Sequence, residues 1–281
     1  MFSGVFLDAE RFPSLQPKTS AHLLKAMYKT SSLLGSAVLT LSVLLPCASA
    51  KAEEGELSMV SPIPFKGVAK LVTQRHKDKN SDVRAVYPQF SQNTMVTRFA
   101  NWKLRVASQT RYRDFLGKVK KDIAEDFQPL APYGYDELPE LHYYHAPRLI
   151  STAFAYYSYT GGAHGMSATI TTNYGQFAGM SRPKILTLGD FFTGKGYRKP
   201  VEKKLLDTLR GKKDQVASWV QDGTVKTLTD QQLNNFTVSP KGLTWYFAPY
   251  EVGPYAAGPF EVQLKFNDLP TDFKRSVVLG R

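Results

Sequence analysis

Cysteine is almost missing. Cys47 is the only one in 281 residues, and it lies ahead of the abruptly polar Lys51-Ala52-Glu53-Glu54. Removal of that leader would leave a protein with no disulfides, no thiol chemistry and no cysteine–zinc site. Long apolar runs are missing too. Residues 33–45 form an apolar stretch of 13, whereas a helix that spans a bilayer needs about 20. The sequence has no Gly-x-Ser-x-Gly element, no internal repeat and no low-complexity tract, so the common serine-hydrolase signature is absent.

What the leader does contain reads as a cleavable signal peptide over residues 27–50. Met27-Tyr28-Lys29 supplies a positive start, residues 33–45 the apolar region, and Ala48-Ser49-Ala50 the small residues before a cut. Pro46 ends the apolar stretch because proline cannot continue a helix. A retained anchor is the rival, and the scattered Ser, Thr and Gly argue against it. Leu44-Leu45-Pro46-Cys47 resembles a lipobox, but proline fits poorly before the lipid-bearing cysteine. Residues 1–26 carry Asp8, Glu10 and Pro13, which suits a start assigned too far upstream, with Met27 as the true one; a long positive region is the alternative. The expected location is extracytoplasmic, periplasmic or secreted.

Residues 51–281 amount to 231, enough for one large or two small domains. Residues 1–50 hold four basic and two acidic side chains, so the mature part keeps +10 of the chain's +12. Outside the cytoplasm such a charge meets envelope polymers and lipid head groups rather than nucleic acid. Spread along the chain, it also serves plain solubility.

The pattern predicts an α+β protein: an N-terminal hairpin and long helix with an antiparallel sheet, then a C-terminal α+β part with hairpins. Residues 51–64 are a flexible lead. Residues 68–72 and 83–87 are β-rich, separated by the polar loop 75–82. Apolar residues recur at three- and four-residue steps from an Asn93 or Thr94 cap to about residue 126, with a break near Gln109. Residues 128–139 read as a Pro/Gly loop. Residues 141–145, 149–159, 166–174, 236–239, 243–248 and 260–266 read as strands, and 199–210 as a helix. Val216, Trp219 and Val220 suit a further helix. A division near 180 gives an N-terminal part over 65–180 and a C-terminal part over 181–281.

Four segments stand out: Tyr87-Pro88-Gln89-Phe90, Tyr159-Thr160-Gly161-Gly162-Ala163-His164-Gly165, Leu186-Thr187-Leu188-Gly189-Asp190-Phe191-Phe192, and Phe247-Ala248-Pro249-Tyr250-Glu251-Val252-Gly253-Pro254-Tyr255-Ala256-Ala257-Gly258. Together they resemble the RsiV/PdaC-like family of bacterial extracytoplasmic domains, over roughly residues 65–275. That family includes the outer part of lysozyme-sensing anti-sigma factors and the region ahead of the catalytic domain in some peptidoglycan deacetylases. The resemblance implies a helix-and-sheet part followed by an α+β part, and binding more than chemistry. With the chain ending at Arg281 and its leader removed, a sensor or binding module alone is expected.

Candidate contacts are Tyr159, Gly161, Gly162 and His164 in one loop, and Tyr250, Glu251 and Tyr255 in the other. Gly161-Gly162 can supply positive φ. His164 can touch a ligand or pin its loop. Pro249, Gly253, Pro254 and Gly258 stiffen the second loop, whose tyrosines either stack on sugars or a protein, or close the core. Glu251 needs solvent or a partner, with His164 or Arg148 in reach of such a role. His142 and His145, two residues apart on a strand, should face opposite ways. No metal site and no cofactor is expected.

The first reading is therefore a non-enzymatic module that binds a cell-envelope polymer, of peptidoglycan type, or an envelope protein. An envelope hydrolase or deacetylase-like enzyme, using His164 with a carboxylate, is the alternative. A lysozyme-binding protein is the third. Lysozyme is basic, so a receptor needs acid, and only Asp122, Glu125, Asp126, Asp136, Glu137 and Glu140 are concentrated mid-chain. For the leader, N-terminal sequencing of the protein recovered from an exporting host should begin at Lys51. A product retaining Cys47 would contradict cleavage after Ala50.

Overall fold

The computed structural model describes residues 61–279, apart from 126 and 128. The export segment, Met27, Cys47 and the lead up to residue 60 lie outside the described residues. Strand β1 (Ala69–Lys77) and β2 (Ser81–Phe90) form an antiparallel hairpin, Ala69 opposite Phe90. The expected polar loop is mostly strand. Its turn contracts to Asp78, Lys79 and Asn80, because the Asp78 carboxylate accepts from the backbone N–H groups of Asn80 (2.9 Å) and Ser81 (2.7 Å). Those bonds fold the chain over a short span. Arg75 and Lys77 on β1 then reach Asp82 on β2, at 3.2 and 3.1 Å. Charge thus lines the outer strand instead of a loop.

Helix α1 (Met95–Ala124) follows, 30 residues long. Thr94 caps it: the Thr97 N–H donates to Thr94 Oγ1 (3.1 Å) and the Thr94 N–H to Thr97 Oγ1 (2.9 Å). Val96, Ala100, Leu104, Phe115 and Val119 are its buried apolar residues, on the expected period. The break near Gln109 does not interrupt the helix. Arg111 occupies the core-facing stripe there and reaches Glu137, which is 0% exposed, through two bonds of 2.7 and 3.2 Å. Tyr135 donates to the same carboxylate at 2.6 Å, and the Arg111 guanidinium lies 5.2 Å from the Tyr156 ring centroid. Burial pushes the Tyr135 and Tyr156 hydroxyls well above the usual tyrosine range, so both stay neutral around this ion pair.

Strand β3 (Tyr133–His145) begins earlier than expected. Its Pro/Gly-rich start pairs in parallel with β2, Ser81–Ala85 against Tyr133–Glu137. Pro139 follows the end of that ladder, so its missing N–H is not asked for on the β2 side. Further along, Leu141 and Tyr143 oppose the adjacent Thr152 and Ser151. His142 is the extra residue of a bulge, which breaks the simple alternation expected for His142 and His145. Strands β4 (Leu149–Tyr159), β5 (Met166–Gly175) and β6 (Lys184–Leu186) complete a six-stranded sheet in the order β1-β2-β3-β4-β5-β6, antiparallel except at β2–β3.

The two faces of this sheet are covered differently. Leu149 and Ile150 are neighbours on β4 yet join separate core clusters, as the two-residue period of a strand requires. Ile150 packs with Leu141, Phe154 and the α1 residues Ala100 and Leu104. Leu149 packs with α2 (Arg198–Gly211), α3 (Ser218–Gln221), α4 (Asp230–Asn234) and the antiparallel sheet β7 (Phe236–Ser239), β8 (Gly242–Phe247), β9 (Phe260–Lys265). A last turn of helix, α5 (Arg275–Leu279), receives the Tyr143 hydroxyl on its Val278 carbonyl. Asn235 joins the two sheets. Its side chain bonds the Thr171 N–H and the Thr169 carbonyl on β5, each at 2.9 Å, and the Tyr246 carbonyl on β8 at 2.8 Å. Ser151 Oγ accepts from the Val238 N–H at 2.9 Å. The architecture is α+β, as expected.

No helix of the described residues is long and apolar enough to cross a membrane. The ion pair under α1 gives the first structural prediction. Arg111→Met strands the buried Glu137 carboxyl without its cation, and should lower unfolding stability in urea by roughly 3–5 kcal/mol. Arg111→Met with Glu137→Leu should recover most of it. A double variant no more stable than the single one would contradict a penalty from the stranded carboxyl.

Candidate functional site

The two loops singled out in the sequence meet. The β4–β5 loop needs its first glycine: Gly161 has φ +92°, and a Cβ there would strike the Phe127 ring. Gly162 has open space around it and does not share the positive φ. At the loop's end, a side chain on Gly165 would collide with the Tyr157 ring. The backbone is thereby fixed where it presents His164 to solvent. Tyr159 stays in β4, opposite Gly134, apart from the rest of the set.

The β8–β9 loop is held by a reciprocal clamp. The Ala248 N–H donates to Glu251 Oε2 (2.7 Å), and the Glu251 N–H donates to the Ala248 carbonyl (3.1 Å). Tyr250, between them, has φ +71°, the one positive φ outside glycine among the described residues. That backbone costs a residue with a Cβ about 1–2 kcal/mol, and such strain gathers at functional positions. Gln215 ties the loop down from outside, its Nε2 donating to the Ala257 and Pro259 carbonyls at 2.7 Å each.

Together the loops build a row of rings. His164 stacks on Tyr255 with centroids 3.9 Å apart and planes 24° apart. Tyr255 and Tyr250 are 5.7 Å and 33° apart. Tyr250 and Trp219 of α3 are 6.4 Å and 29° apart. Tyr250 is 43% exposed, His164 is exposed, and Tyr255 and Trp219 are half-buried. The Gly165 carbonyl accepts from the Tyr255 hydroxyl (2.8 Å) and lies 3.1 Å from His164 Nδ1. A carbonyl can only accept, so Nδ1 donates to it, and in the neutral ring Nε2 is then an acceptor with no protein partner among the described residues.

Trp219 was not among the candidates. Its spacing with Val216 and Val220 suits a helix, and nothing in the sequence signals that it lines up with a loop about 30 residues on. Glu251 does not find the partner expected of it. Its carboxylate is spent on the Ala248 N–H, and among the described residues no hydrogen bond joins it to His164 or Arg148. Concavities of about 460 and 430 Å³ are lined by other residues. Among the described residues no three His, Cys, Asp or Glu side chains are gathered as metal ligands.

The mid-chain acids are mostly engaged. Asp136 pairs with Arg84 (2.6 Å), Glu137 with Arg111, Asp122 with Lys118 (2.8 Å) and Glu140 with His142 (3.2 Å). Asp126 lies outside the described residues.

Residues 75–167 match the family described as deacetylase PdaC, and residues 189–267 match the protein of unknown function family DUF3298. The chain carries this domain pair. His164 falls in the PdaC segment, and Trp219, Tyr250 and Tyr255 in the DUF3298 segment, so the ring row is built from both. A DUF3298 family protein from Pseudomonas aeruginosa is similar in fold, with TM-score 0.51 and 15% identity over 79% of this chain and 99% of that one. A DUF3298 family member from Bacteroides fragilis aligns with TM-score 0.43 and 17% identity, over 76% and 98% of the chains. No curated protein matches the chain.

Burial raises the Glu251 carboxyl above its usual value of 4.5, only partly countered by the Ala248 N–H. The folded protein therefore holds this proton more tightly than the unfolded chain. The stabilisation from the protonated form is complete below 4.5 and is lost as pH rises through the raised folded value. Glu251→Gln should thus gain melting temperature relative to the parent at pH 7 compared with pH 4. An equal difference at both values would contradict a perturbed Glu251.

Proposed function

We propose that this protein is an extracytoplasmic, non-enzymatic binding module for a cell-envelope glycan of peptidoglycan type. The observation that carries this reading is the ring row. Four rings, each turned 24–33° from the next, are held by two braced loops and α3 and reach solvent at Tyr250 and His164. Aromatic faces offer large contact area at low entropy cost, and His164 Nε2 adds a hydrogen-bond acceptor for a sugar hydroxyl. The leader, with its signal-peptide pattern, supports a place outside the cytoplasm.

The hydrolase reading has less behind it. His164 and Glu251 each serve their own loop, and no cavity described above opens beside them. The lysozyme reading asks for free acid, whereas Asp122, Asp136 and Glu137 are each paired with a cation and the mature part is +10.

Co-sedimentation of the purified protein with insoluble peptidoglycan tests the proposal, beside pull-downs on a panel of lysozymes. Retention on peptidoglycan is expected, weakened about tenfold by Tyr250→Ala, the loss of a ~1.4 kcal/mol contact, and reduced by His164→Ala. Retention on lysozyme alone, or undiminished retention of both variants with unchanged circular dichroism, would overturn it.

A further inference from the structure

Far along the chain from those loops, α1 and the β1–β2 hairpin enclose a groove of about 430 Å³, within the ~300–1,000 Å³ range of small-ligand sites. Val72, Tyr87 and Gln89 form its strand side, and Arg98, Trp102 and Arg105 its helix side. The spacing is that of one helix face, four residues and then three. Trp102 is 49% exposed, an indole left largely in water where the helix could have carried a polar residue.

The groove is pre-formed. Asn101, also in its wall, grips the end of β2: its Oδ1 accepts from the Phe90 N–H (2.8 Å), and its Nδ2 donates to the Phe90 carbonyl (3.0 Å). These two bonds set the distance between helix and hairpin, while Thr94 fixes where the helix starts.

Its charge is of one sign. Arg98 and Arg105 are lining residues, Lys103 Nζ lies 4.5 Å from the Trp102 ring centroid, and Lys70 is the cross-strand partner of Gln89. Among the described residues none of these four cations forms an ion pair. No carboxylate lines the groove, and between residues 95 and 113 the helix contains no Asp or Glu. An arginine without a carboxylate partner is available to an external anion, whose phosphate or carboxylate oxygens its fork can bond two at a time.

We propose that this groove is a binding site for a sugar phosphate unit of an envelope glycan. The pyranose ring rests on Trp102, Gln89 and the Asn101 side of the wall meet its hydroxyls, and the phosphate lies against Arg98 or Arg105. Two arginines in the wall and a lysine at the Trp102 ring suit a phosphate monoester, which carries close to two charges, better than a singly charged carboxylate. The site shares no residue with the ring row of His164, Tyr255, Tyr250 and Trp219, so the two stand or fall separately.

The test is a titration of the purified protein followed through the Trp102 indole N–H signal, one of three tryptophan indoles, identified by its loss in Trp102→Phe. The probes are N-acetylglucosamine 6-phosphate, N-acetylglucosamine, glucuronate and inorganic phosphate. A saturable shift with the sugar phosphate is expected, at least about tenfold tighter than with any other probe (~1.4 kcal/mol). Binding should weaken with added salt, and fall at least fivefold in Arg98→Gln or Arg105→Gln. Tyr250→Ala should leave it unchanged. Equal affinity for inorganic phosphate would reduce the groove to a basic patch, and equal affinity for glucuronate would overturn the phosphate assignment. No shift at Trp102 with the sugar phosphate would overturn the site itself.

Discussion

Arg111 and Glu137 meet beneath the middle of the long helix, where no water reaches the carboxylate. A buried ion pair of this kind adds little net stability, because desolvation offsets most of the attraction. What it does provide is register. Of the ways α1 could slide or roll on an apolar sheet, only one lets the guanidinium fork meet both carboxylate oxygens while Tyr135 donates to the same group. The helix is then rotationally committed. Leu104 and Phe115 go inward, and Arg98, Trp102 and Arg105 are turned together toward the hairpin. The chemical character of the helix's outer surface is thus a consequence of one polar contact on its inner one.

A second constraint operates on the other face. Asn235 stands between α4 and β7, and its amide satisfies backbone groups of both sheets. Backbone groups at such a junction would otherwise be left dry and unpaired, at about 1–3 kcal/mol each. With the small sheet fixed against β5, its β8–β9 loop is carried to the β4–β5 loop, and Tyr255 stacks on His164. The strain at Tyr250 is tolerated because the Ala248–Glu251 clamp and the Gln215 bonds over-determine the loop on either side.

Local patterns were legible in the sequence to the extent that their causes are local. The period and the Thr94 cap of α1, the β-branched and aromatic run of β4 and the hairpin around Gly242 depend on neighbours a few residues away, and each was visible. The start of β3 was not, because Pro132 and Gly134 carry turn chemistry that pairing with β2 overrides, and Pro139 is accommodated in the ladder with β4. The break at Gln109 was seen, but its cause lay with an acid 26 residues from Arg111. Likewise the two loops were picked out through their motifs, whereas Trp219 joined them only through tertiary packing. The division near residue 180 left no trace of the fact that Lys184–Leu186 belongs to the first sheet. The bulge at His142 likewise has no sequence signal beyond an ordinary histidine.

The charges along β1 have a bearing beyond their own hairpin. An open six-stranded sheet has two outer strands, and each offers unpaired amides and carbonyls on which another chain can grow. Here one margin bears the exposed Lys70, Arg75, His76 and Lys77, and the other is a strand of three residues. A second molecule approaching the first margin meets its own cations, and at the second it finds too short a ladder to hold. The first residues of the polar stretch 75–82, which the sequence pattern places in a loop, therefore blunt an outer strand against pairing with another chain.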